Sequence, residues 1–234
     1  MRKIVSLIVI LCLVTNILSA QTVYPSENDV DIYWQPNTQI DFSDYQSPDL
    51  EECLRFNEEY GLTMSSHIGF RGVVDIPKKK RKYDKFYIAP VFNKNCSCIL
   101  TEDSLSLQVD RLLFDLAEVC ARRARKELLD LREEMNTDNT YTMFFTTVKN
   151  KWDEEMRAFF SAIITDVLIE KNDSSYMSWR EAVDDALLTT IEYATQPEDC
   201  YRFIINEPIE KGYIVPETIM GDMGDYEIIK TTNH

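Results

Sequence analysis

Histidine is nearly absent. The 234 residues include two, His67 and His234, so no pair stands one helical turn apart. A helical zinc-peptidase site needs imidazoles at i and i+4, with a glutamate after the first acting as general base on the metal-bound water. Such a site is excluded. Beyond the first twenty residues there is no second long apolar run, so no later segment is expected to span a bilayer of about 20 helical residues. No internal repeat or low-complexity tract occurs, and Gly221-Asp222-Met223-Gly224-Asp225 is too short for a calcium loop and forms no phosphate cradle.

Basic residues are scarce relative to acids, 25 Lys and Arg against 40 Asp and Glu. Arg2 and Lys3, the apolar run Ile4 to Leu18 and the Leu18-Ser19-Ala20 cleavage site read residues 1–20 as a signal peptide. Leu18 is large for its position, but an uncleaved anchor is disfavoured because the run is short for a bilayer. Export to the periplasm or the extracellular space is therefore expected. Removing Arg2 and Lys3 leaves 25 − 2 = 23 basic residues against 40 acids, a net charge near −17. That sign argues against nucleic acid and anionic lipid as partners, and leaves an unknown protein or peptide. The remaining 234 − 20 = 214 residues suffice for one domain with a core.

Cys12 leaves with the signal, while Cys53, Cys96, Cys98, Cys120 and Cys200 remain. In an oxidising compartment these are candidate disulfide cysteines, one of which must stay unpaired if two bridges form. Five choices of the odd cysteine times three pairings of the rest allow 15 arrangements, all open to the sequence. Cys96 and Cys98 would share a strand face, and with Cys120 they could make a thiolate metal site. Disulfides are the expected state, since free thiolates oxidise after export.

Order is expected to begin at Ile32-Tyr33-Trp34 and to turn at Gln35-Pro36-Asn37, with Ile40 to Tyr45 extended. A short helix follows to Tyr60, capped by Asp49 and ended by Gly61. From Ser65 to Leu100 the apolar period is two, predicting a hairpin whose link is Lys78-Lys-Lys-Arg-Lys82, read as a solvated tip, and a third strand at Cys96 to Leu100. Thr101 to Asn136 then predicts one long helix, with Leu105, Val109, Leu112, Leu113, Leu116, Cys120, Ala124, Leu128, Leu131 and Met135 as its core stripe. A second helix is expected over Tyr141 to Lys171. A third is expected to start at the capping box Ser178-Trp-Arg-Glu181 and stop at Pro197. Tyr201 to Ile205 reads as a strand or a core-packing extension, and residues 207–234 as a tail of uncertain order. The fold class is α+β, a small antiparallel sheet packed on three main helices in one domain, residues 21–206.

Val109-Asp110-Arg111-Leu112-Leu113-Phe114-Asp115-Leu116-Ala117-Glu118, with Ala121-Arg122 and Arg125-Lys126, resembles the helix of a family of exported bacterial proteins. That family is number nine hundred and twenty-two among the domains of unknown function, and its members are regarded as metallopeptidases. Their helix reads His-Glu-Gln-x-His-Phe-Asp-Ile before an Ala-Arg and basic run. Tyr33-Trp34-Gln35-Pro36 and Ile40-Asp41-Phe42-Ser43-Asp44-Tyr45 resemble the family's opening, so the likeness spans roughly Tyr33 to Leu188. The resemblance implies a zincin-like helix without its metal motif. Val109 and Leu113 stand where the histidines would be, Asp110 where the glutamate would be, and no metal or cofactor is expected. The function implied is a non-catalytic pseudo-peptidase with a binding or structural role.

Two alternatives remain. One is a hydrolase with a non-standard site around Asp110, His67 and the cysteines, and the other is a thiol-active protein. Asp110 could be a buried acid with a shifted pKa and Arg111 or Arg122 its partner, but the expected reading is a solvated helix face on which these charges make i to i+4 contacts. The acid pairs Asp184-Asp185 and Glu51-Glu52 point about 100° apart on a helix and do not form a facing glycosidase pair.

Overall fold

A computed structural model of the chain describes residues 24–79 and 83–216. The expected signal peptide and most of the expected tail lie outside the described residues, as do three residues of the Lys78–Lys82 link. The fold is α+β, as expected. Its elements run β1 (Asp31–Tyr33), α1 (Glu51–Tyr60), β2 (Met64–Ser65), β3 (Ile68–Pro77), β4 (Lys85–Asn93), β5 (Cys98–Ile99), α2 (Ser104–Met135), α3 (Thr140–Ile163), α4 (Asp173–Thr189), α5 (Pro197–Ile205) and β6 (Tyr213–Ile214).

The antiparallel sheet has the order β1-β4-β3-β6. Strand β4 is its centre, and Ile88 to Phe92 are all buried rather than alternating. The reason is that both faces are covered. Ile88 joins Phe70 and Val74 in the main core against α2 and α3, while Ala89 and Val91 pack with Tyr33 and Cys200 beneath α5. Phe92 belongs to a second apolar cluster with Ile32, Trp34, Ile40, Tyr45, Leu107 and Phe114. Helix α3 approaches the sheet closely at Gly72, where a Cβ would lie 2.6 Å from Phe145 Cζ. The expected third strand, β5, instead pairs with β2 in a separate two-stranded sheet.

Several boundaries depart from the sequence reading. Residues Phe42–Asp44 form a 3₁₀ turn inside the segment expected to be extended. Helix α3 ends at Ile163 and passes into a π-helical turn, Ile164–Ile169. The box at Ser178 is not a helix start. Helix α4 already begins at Asp173, after Asn172, whose side chain and carbonyl accept hydroxyl protons from Ser174 and Ser175. Helix α4 stops at Thr189, not at Pro197, and Pro197 instead opens α5, because a first-turn proline gives up an amide that has no helical partner. The apolar run to Ile205 is therefore helical, with Cys200, Phe203 and Ile204 at i, i+3 and i+4 against the sheet. Part of the expected tail is ordered as β6, which pairs with Ile76 and Pro77.

Candidate functional site

Helix α2 organises the molecule. Asp103 accepts the amide protons of Leu105 and Ser106 and so caps its start. After its 32 residues Asn136, at φ 47, closes it in the left-handed region. Val109 is 0% and Leu113 2% exposed, both within the main core. Val109 and Leu113 are thus core positions, enclosed by the protein's own side chains. Open space along this helix lies on a different flank, a 300 Å³ cavity lined by Gln108, Arg111, Phe114, Asp115 and Arg180 among others.

Asp110 is not on a solvated face. It is buried, and neither Arg111 nor Arg122 pairs with it: Arg111 bonds the Ile40 carbonyl and Asp41, and Arg122 bonds Glu118. Instead the Tyr45 hydroxyl donates to Asp110 Oδ2 at 2.5 Å and the Ser66 hydroxyl to Oδ1 at 2.6 Å. Burial lifts the Asp110 carboxyl from 3.8 to about 6, against the opposing pull of the Ser66 and Tyr45 hydroxyls. The same burial, together with the Asp110 charge, drives the Tyr45 phenol upward, so it serves as a donor and not as a base.

One turn further on, Asp115 accepts the Trp34 indole proton at 2.8 Å and an Arg180 proton at 2.7 Å. Both segments that carry the family resemblance therefore meet on α2, the opening through Trp34 and Tyr45, the helix through Asp115 and Asp110. Next comes Glu118, fully buried. It accepts from Arg122 Nε at 2.7 Å and from the Thr195 amide and hydroxyl at 2.8 and 2.5 Å, with Arg125 at 3.8 Å. Arg125 in turn donates to the carbonyls of Ile88 and Tyr193 and to the Thr195 hydroxyl. This cluster ties the sheet and the 190s segment to the helix. Both carboxylate oxygens of Glu118 are paired, while Arg125 Nε is buried without a hydrogen-bond partner among the described residues.

The cysteines resolve into one bridge, Cys53–Cys98, with Cys96 exposed and Cys120 and Cys200 buried as free thiols. Burial pushes the thiols of both Cys120 and Cys200 up to about 12, which suppresses the thiolate that nucleophilic or metal chemistry requires. The considered Cys96, Cys98 and Cys120 metal set does not assemble, because Cys98 is spent in the disulfide and Cys120 lies in the α2 core. Among the described residues no group of three or more His, Cys, Asp or Glu is placed to hold a metal ion. His67 is exposed just ahead of β3, and its amide, not its ring, is anchored, donating to Ser97 Oγ at 2.9 Å.

A larger cavity, 730 Å³, lies at the opposite end of α2. Its walls are Tyr83 to Tyr87, Arg132, Tyr141, Glu198 and Ile209, Glu210 and Tyr213. Sequence reasoning missed it, because four tyrosines scattered from position 83 to 213 share no spacing or motif. No family model matches the chain, and no curated protein or solved structure matches it either.

Proposed function

We propose that this chain is an exported, non-catalytic protein with a binding role, built on a metallopeptidase-like helix whose catalytic positions have become core. The observation that carries the reading is the filled face of α2, with Val109 and Leu113 sealed in the main cluster. Export is supported by the signal-like residues 1–20, by the Cys53–Cys98 disulfide, and by the lack, among described residues, of a helix long and apolar enough to cross a membrane. The membership in the exported family rests on the residues quoted for it, and it makes this chain a degenerate member. The partner expected is a protein or peptide.

The hydrolase reading has a carboxyl near neutral in Asp110, but that group lines neither the 730 Å³ nor the 300 Å³ cavity, so substrate has no route to it there. The thiol reading is reduced to Cys96, the exposed free cysteine. Purified protein should retain no stoichiometric zinc after dialysis and should not cleave casein or peptide pools, with or without a chelator. One tightly held zinc per chain, with hydrolysis lost on chelation, would refute the proposal.

A further inference from the structure

The 730 Å³ cavity is within the size range of small-ligand sites, roughly 300–1,000 Å³. Its most distinctive wall is Arg132, delivered by the last turn of α2. The guanidinium carbon sits 4.1 Å from the Tyr83 ring centroid and 4.9 Å from that of Tyr141. Arg122, Arg125 and Arg202 spend their protons on carboxylates and carbonyls of the interior. By contrast, the Arg132 side chain makes no hydrogen bond or ion pair with any described residue; it lies over the two tyrosine faces, and its charge acts on the nearby Asp84 carboxyl. Contact with the two ring faces seats the guanidinium and leaves its N–H donors without an acceptor among the described residues. Their forked edge matches the two oxygens of a planar carboxylate.

The other walls restrict the ligand further. Tyr83 is 53% exposed, Phe86 packs edge-on to Tyr141 at 4.6 Å, and Tyr87 and Tyr213 complete an aromatic lining suited to a flat body. Lys85 is already paired with Glu210, whereas the Arg132 guanidinium has no hydrogen-bond or ion-pair partner among the described residues. Glu198 also lines the cavity, and Asp84 is buried at its edge with Oδ2 held by the Thr142 amide and hydroxyl. These acids, on a chain of strongly negative charge, repel phosphates and other polyanions far more than a single carboxylate.

We infer that this cavity binds a monocarboxylate next to a flat ring, with the carboxylate bridged to Arg132 and the ring against the tyrosines. The chemistry is shared by free aromatic acids and by a peptide ending in an aromatic residue. The inference rests on the reading of the chain as a binding protein. Its test leaves metal and hydrolysis aside, so the two can fail separately.

The full chain, ¹⁵N-labelled, is titrated with indole-3-acetate, benzoate and N-acetylphenylalanine, and with the uncharged amide of each. The expected result is amide-resonance shifts centred on residues 83–87, 132 and 141. The acids should bind at least about tenfold more tightly than their amides, the size of a charge-assisted bond. Tighter binding of N-acetylphenylalanine points to a peptide end, and tighter binding of the other two to a free acid; both support the site. Arg132→Lys retains charge but loses the planar fork, and should weaken the acids about tenfold while leaving the amides unchanged. Tyr83→Ala, at an exposed position, supplies a second variant if the first disturbs folding, and should weaken acids and amides alike. Equal binding of acids and amides, wild-type affinity in Arg132→Lys, shifts that map elsewhere, or no shift with any probe would overturn the inference.

Discussion

Replacing Asp110 by asparagine should make the protein more stable at neutral pH. A carboxyl lifted from 3.8 to about 6 costs about 3 kcal/mol more to ionise in the fold than in the unfolded chain. The sign follows from linkage. Below pH 4 the group is protonated in both states and carries no penalty; between pH 4 and 6 the unfolded chain releases its proton first, and stability falls; above pH 6 the whole penalty is present. Asparagine keeps the shape and cannot ionise. Its carbonyl accepts from one of the Tyr45 and Ser66 hydroxyls, and the other hydroxyl turns to accept from its amide. Some of the gain is lost with the charge-assisted bonds, so the expected stabilisation at pH 7.5 is about 1–3 kcal/mol, shrinking to near zero at pH 4. Urea unfolding of both proteins at the two pH values reads this directly. Asp199, also lifted to about 6 by burial, titrates in the same window, so the difference between variant and wild type isolates Asp110. A variant that is less stable by the same amount at both pH values would refute the reasoning, for the cost would then be packing and not ionisation.

Three other perturbations follow from the fold. Replacing Cys53 and Cys98 by serine opens a loop of 45 residues, worth about 4 kcal/mol by chain entropy. Because Cys53 is the only buried residue of α1, with Leu50 40% and Leu54 57% exposed, amide exchange in Glu51–Tyr60 should rise first; unchanged protection there would contradict the staple. Gly72→Ala should cost about 1–3 kcal/mol in thermal unfolding, since the new methyl meets the Phe145 ring, and Phe145→Leu in the same chain should recover part of it. Arg202→Met strands Asp75, to which it donates at 2.7 and 2.9 Å, and should cost about 3–5 kcal/mol; adding Asp75→Leu should recover most of the loss in a denaturation series.

The sequence made some of this legible for definite reasons. The 3.6 period of Val109, Leu112, Leu113, Leu116 and Cys120 reports burial on one side of a helix, and α2 buries those residues. The two-residue period of β3 and β4 likewise declared a hairpin, which pairs Phe70 with Pro90 and Gly72 with Ile88. It failed at α5, where Tyr-Arg-Phe-Ile-Ile has strand composition but follows a proline and a cap at Gln196. It failed too for Asp110, because an acid on an amphipathic helix reads as solvated unless the hydroxyls that reach it, Tyr45 and Ser66, can be foreseen at separations of 65 and 44 residues. The partner of Cys53 and the walls of the Arg132 cavity are unreadable for the same reason. They are set by the fold and leave no local pattern.

The meeting of the first strand with the last helix has a consequence for how the chain is made. Tyr33 stacks on Phe203 at 5.8 Å, Tyr24 lies 4.8 Å from Tyr201, and Gln35 reaches Cys200. Strand β1 is synthesised early, yet the apolar surface that covers it emerges only after α5. A growing chain therefore has no finished outer face on its sheet until about residue 203, and contacts of such long separation close slowly. That delay keeps the outer face of the sheet uncovered through most of synthesis. It also means that a chain cut before Pro197 should expose Tyr33, Ala89 and Val91 together, and should stick to its own copies instead of settling into a smaller fold.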